Sequence, residues 1–206
     1  MRFATQRDTN ISKFYKQHSI LTVEQLDIEY LADIFRLEIN YGDFKSKVIY
    51  EGPFAIMALT EGKSIEETRK TFFHELSHHL NHYGRQKKMS NSFRDLQESS
   101  AYWLSLYYAM PLHIFEPLLI KHKDPEYLAE LFELPKGMVI ERIESIRRER
   151  SRSEQHDLHT RKEFVHRLKS KSLQPGKVHD GTLLILNQLK NQVGEERMSN
   201  DVKRLL

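Results

Sequence analysis

Cysteine is absent from the 206 residues. Disulfides, thiolate zinc sites and cysteine nucleophiles are excluded together, and any metal must be held by His, Asp or Glu. Long apolar runs are absent too. The longest, residues 54–59, has six residues, where a membrane-spanning helix needs about 20. The opening MRFATQRDTN has no apolar stretch of the kind that directs export. The expectation is a soluble, cytoplasmic protein with no membrane partner. An excess of one charge is also missing. Thirty-two Lys/Arg face 29 Asp/Glu, for a formal net charge of +3. The small surplus lies late: residues 151–206 hold 11 basic and 7 acidic groups, and residues 1–150 hold 21 and 22. That falls short of the basic stripe of a nucleic-acid protein, though it leaves room for an acidic partner of the tail.

Hydrophobic residues make up 39% of the chain, enough at this length for a real core. Residues 22–35 place Leu26, Tyr30, Leu31, Ile34 and Phe35 at helical spacing, which predicts an amphipathic helix. LEINYG, SKVIYEG and FAIMAL then read as three short strands of a small antiparallel sheet. Residues 66–83 return to helical period, and a second helix runs from about 93 to 109, stopping before Met110-Pro111. Asp124 is placed to cap a helix with Pro125 at its first position. That helix and the following MVIERIESIRRER make a helix-turn-helix-like module over about 124–148. Residues 147–180, rich in Arg, Lys, Ser and His, read as a frayed helix or linker. Residues 182–193, TLLILNQLKNQV, read as a late helix able to dock. The fold class expected is α+β. Its domains are 1–148, with the active helices and the module, and 149–206, a basic, partly helical extension.

The chemistry sits in HELSH, His74 to His78. Helical positions i and i+4 lie about 40° apart in azimuth and one turn along the axis, so two imidazoles can share one tetrahedral ion. Glu75, about 100° round from His74, can reach a water there. Such a carboxylate can take a proton from water and pass one to a leaving amine, and zinc acidifies the water to a pKa of about 7. Without cysteine, an acidic third ligand gives a His₂Glu site with one open position. Glu98 stands 20 residues after His78, and Ala101 and Ser105, three and seven residues on, form a shallow face that lets the two helices approach. Asp95, one turn earlier, is the fallback. A His/His/His variant fails, because Asn81 and Gly84 occupy its glycine and histidine places.

RKTFFHELSHHLNH resembles the ImmA/IrrE family of zinc metallopeptidases, with Arg69, Thr71, His74, Glu75, Leu76, His78 and His82 in register and Ser77 in place of glycine. ESSAYWLSLYYAMP resembles that family's second block, in register at Glu98, Ala101, Met110 and Pro111 and departing at Ser100, Leu104 and Ser105. The likeness covers roughly residues 22–148. It implies zinc held by His74, His78 and Glu98, with Glu75 as general base and then acid. It also implies a protein substrate, a helix-turn-helix transcriptional repressor, in a phage, mobile-element or stress setting. The departures and the unmatched tail leave a second class open: a non-proteolytic, zinc-containing partner-binding regulator, or one half of a toxin–antitoxin pair.

Other residues divide between chemistry and packing. His79 reads as a surface histidine and His82 as a packing or hydrogen-bonding neighbour. Arg69 either pins the start of its helix, pairs with an acid or is solvated. Tyr107, Tyr108 and His113 could supply an oxyanion donor, though packing or solvated roles are favoured. FAIMAL is either an edge strand that receives a peptide or, favoured, an interior one. Glu141, Glu144 and Glu149 beside the module's arginines repel phosphate, so direct nucleic-acid binding is not expected. His156, His159 and His166 could hold a second metal, but independent histidines are favoured.

Overall fold

The computed structural model describes residues 4–51, 54–81, 90–170 and 173–206. They fall into two compact units, Met1–Ser151 and Arg152–Leu206. The first opens with α1 (Gln6–Gln17), capped by Thr5, whose hydroxyl accepts from the Asp8 N–H at 3.1 Å. A 3-10 turn at Glu24–Leu26 follows. Asp27 then caps α2 (Ile28–Phe35) by accepting from the Tyr30 N–H at 3.0 Å. The single helix expected over 22–35 is therefore split, because an aspartate that bonds its own downstream N–H favours a helix start over a helix interior.

Three strands come next: β1 (Leu37–Gly42), β2 (Lys47–Glu51) and β3 (Phe54–Thr60). Their order is β1–β3–β2, with β3 parallel to β1 and antiparallel to β2. The α+β class is as expected, but the sheet is mixed where the sequence pattern gave an antiparallel one. Alternation identifies strands and is silent about their direction. Here the chain crosses from one edge to the other over four residues. Thr60 fastens that crossing to the end of β3: its hydroxyl donates to the Phe44 carbonyl at 2.8 Å, and its N–H donates to Ser46 Oγ at 3.0 Å. At Gly42 the Phe44 ring folds over the space that a Cβ would take. β3 is the most apolar strand and takes the centre, burying Ala55, Met57, Ala58 and Leu59. It is thus interior, and the edge beside the active helices belongs to β2.

α3 (Ile65–Asn81) and α4 (Asn91–Ala109) pack along one another. α3 buries Phe72, Phe73 and Leu76 completely, each side chain contributing about 1.5–3 kcal/mol. The two positions expected to form a shallow face on α4, Ala101 and Ser105, are buried. α5 (Leu112–His122) carries Pro117 inside it rather than at a boundary; burial of Ile114 and Phe115 holds the helix across the missing N–H. Asp124 caps α6 (Pro125–Phe132), accepting from the Glu126 N–H at 2.9 Å with Pro125 in the first turn.

α7 (Lys136–Ser170) runs unbroken for 35 residues, so no linker begins at 147. Its polar stretch is built from helix formers and carries i,i+4 pairs, Glu144–Arg148 at 3.3 Å and His159–Glu163 at 3.5 Å. Within the second unit, α8 (Asp180–Val193) forms as expected, yet none of its residues is buried, and Leu184 and Ile185 are about two-thirds exposed. A 3-10 turn and α9 (Asn200–Lys203) complete it. No described helix is long and apolar enough to cross a membrane.

Candidate metal centre

α3 projects His74 and His78 from one face, one turn apart, and α4 brings Glu98 against them. His74 Nε2 and His78 Nε2 are 3.2 Å apart. Glu98 Oε2 lies 3.3 Å from the first and 3.4 Å from the second. Three donor atoms around a tetrahedral zinc at about 2.0–2.1 Å stand about 3.3 Å from one another, so the triangle has the edge lengths of such a site. Lone-pair donors facing inward repel one another unless a proton or a cation lies between them, and nitrogen–nitrogen–oxygen is a zinc donor set. These residues therefore fit the ion. Among the described residues this is the one group of three or more His, Asp or Glu that could hold a metal.

Exposure rises across the triangle, from 10% at the His78 side chain to 28% at His74 and 47% at Glu98. The centre is thus closed by the protein on one side and reachable from the other, as a site with an open fourth position requires. Glu75 lies deeper. Burial, and then the Glu98 carboxylate, push its carboxyl up to about 7, while Lys45 and a hydrogen bond from the Val48 N–H of β2 pull the other way. A carboxylate near neutrality is suited to both taking and returning a proton.

The other sequence candidates separate clearly. Asp95 is exposed and stands outside the group of three. His82 lies outside the described residues. His79 is half-buried rather than superficial: its Nδ1 is 3.2 Å from the Tyr50 hydroxyl, the two rings stack, and burial lowers its pKa. Arg69 both pins and pairs, because its Nε donates to the Phe132 carbonyl at 3.0 Å, its Nη2 donates to the Leu26 carbonyl at 3.1 Å, and its Nη1 is 3.6 Å from Glu133. It ties α3 to the segments that flank it. The Tyr107 hydroxyl donates to Glu149, and the Tyr108 hydroxyl accepts from Asn81 Nδ2 at 3.1 Å, so both tyrosines serve the interior. His113 Nε2 donates to the Ile20 carbonyl at 2.9 Å from within α5. Arg142, one of the module's arginines, is fully buried and ion-paired with Asp8.

One feature of the site had no sequence signal. A cavity of about 380 Å³ opens beside His74. Thr71 of α3, Tyr102 and Ser105 of α4, and Met138 and Glu141 of α7 line it. Tyr102 is one helical turn beyond Glu98, which the sequence could have offered. The approach of α7 it could not, since 39 residues separate Tyr102 from Glu141.

The family model described as Peptidase_M78, IrrE N-terminal-like domain, matches residues 32–144. The phage-like element PBSX protein XkdA of Bacillus subtilis (strain 168) is 25% identical over 149 residues, covering 68% of this chain and 73% of its own. A solved structure of a Mycobacterium tuberculosis transcriptional regulator superposes with a TM-score of 0.48 at 14% identity, covering 66% of this chain. The matched region is 46% of that regulator's chain.

Proposed function

Because this chain belongs to the Peptidase_M78 family of IrrE N-terminal-like domains, we propose that it is a zinc-dependent endopeptidase. Its substrate is a protein, a helix-turn-helix transcriptional repressor, and its cleavage relieves repression. The observation that carries this reading is the convergence of His74 Nε2, His78 Nε2 and Glu98 Oε2 at tetrahedral spacing. Zinc held there supplies Lewis-acid polarisation of a water and of the scissile carbonyl. Glu75 takes the proton released by the attacking water and delivers it to the departing amine nitrogen. The Val48 N–H steadies that carboxylate. β2 is an edge strand beside it, and an extended substrate segment adds to that edge by main-chain hydrogen bonds. The likeness to a phage-like element protein supports a phage or mobile-element setting.

Glu75→Gln tests the reading. It should keep about one zinc per chain by elemental analysis and abolish cleavage of a co-encoded repressor. A variant that keeps its biological activity would instead make the chain a non-proteolytic, zinc-containing regulator or toxin–antitoxin component. His78→Ala and Glu98→Ala should each lose the metal. A wild type with no zinc after supplementation would sink the metallopeptidase reading.

A further inference from the structure

The cavity beside His74 is built for more than solvent access. Its lining is mostly apolar, with Thr71, Tyr102, Pro135 and Met138 among the residues around it. Ser105 keeps its hydroxyl turned to the Tyr102 carbonyl at 2.7 Å. Two charged groups border the space. The Lys70 ammonium is turned to Glu67, at 3.3 Å. Glu141 accepts a hydrogen bond from the Tyr102 hydroxyl, and among the described residues no cation stands within ion-pair distance of it. An aliphatic stem along the apolar lining with a positive head at Glu141 therefore suits both the lining and the carboxylate.

We infer that this cavity is the side-chain specificity pocket of the peptidase and takes a lysine or arginine of the substrate, with Glu141 reading its charge. The inference rests on the metallopeptidase reading, since the pocket has meaning only beside a reacting carbonyl. Glu141 is a specificity-determining residue; it touches neither the metal ligands nor Glu75. Tyr102 positions it, holding one side of the carboxylate so that the other faces the cavity.

The test uses zinc-loaded full-length protein and peptide hydroxamates that differ only at the residue next to the chelating group: lysine, norleucine or glutamate. Placing the chelator at either end of the peptide samples both sides of the metal. Affinity, zinc content and melting temperature are measured for wild type, Glu141→Gln and Glu141→Lys. On one scaffold, lysine should bind about tenfold or more tighter than norleucine, as a charge-assisted hydrogen bond implies. Glu141→Gln should reduce that gap to about twofold, and Glu141→Lys should turn the preference toward glutamate. Equal binding of lysine and norleucine on both scaffolds overturns the pocket assignment. So does a lysine preference that survives in Glu141→Gln with wild-type zinc and melting temperature. A wild type without zinc fails earlier, at the metallopeptidase reading, and takes the pocket with it.

Discussion

Asp8 and Arg142 lie 134 positions apart and bury an ion pair that fastens α1 to the start of α7. Arg142 also donates to the Met110 carbonyl at 3.2 Å and lies over the Tyr107 ring at 4.2 Å. Removing one partner strands the other charge in the interior. Asp8→Ala should therefore cost about 3–5 kcal/mol in urea unfolding, far more than a surface pair. His113 behaves differently. Burial lowers its pKa below the ordinary 6.5, while its Nε2–H bonds to Ile20. The unfolded chain then takes up the proton first as pH falls, so this group withdraws stability through the interval just below 6.5 and no further once the folded form is protonated as well. His113→Gln should flatten that part of a stability-against-pH curve. Neither role was legible in the sequence. An arginine among other arginines and a histidine after a proline carry no local mark of burial.

At the scale of elements, the site depends on how closely two helices meet. α3 presents His74 and His78 on one face by helical period alone. α4 can deliver Glu98 only because the residues one and two turns further, Ala101 and Ser105, are small and buried against α3. Ala101→Leu inserts three carbons into that contact. It should destabilise the protein by about 1–3 kcal/mol and lower zinc occupancy at fixed free zinc, while His74 and His78 remain in place. Full zinc occupancy in that variant would mean the helices do not set the metal geometry. This much was readable from one-dimensional spacing, because both helices are local objects with a fixed 3.6-residue period. The sheet was not. Three short strands of similar length were visible, but their order and direction come from the crossing that Thr60 holds.

For the whole molecule, the question is what the residues after 151 do. The first unit, Met1–Ser151, contains the His74–His78–Glu98 group, Glu75, the cavity and the buried pair. A chain ending at Ser151 should accordingly stay folded and bind zinc, with circular dichroism and elemental analysis close to the full protein. Collapse on truncation would show that the second unit completes the fold. That unit carries exposed Leu184 and Ile185 on α8, so loss of biological effect with zinc retained would point to it as the element that recruits the substrate.

The sequence by itself determined the chemistry on offer. Without cysteine, with two histidines four apart and a glutamate ahead of two small residues, the candidate donors and the two helices that carry them follow from period, side-chain type and the family likeness. The cap at Asp124 follows as well, since it acts within two residues. Only the tertiary structure decided that β3 is central and that Arg142 is buried against Asp8. Only it placed Glu141 and His74 on the walls of one cavity. Those arrangements join segments tens of residues apart, and packing at that range leaves no periodic trace along the chain.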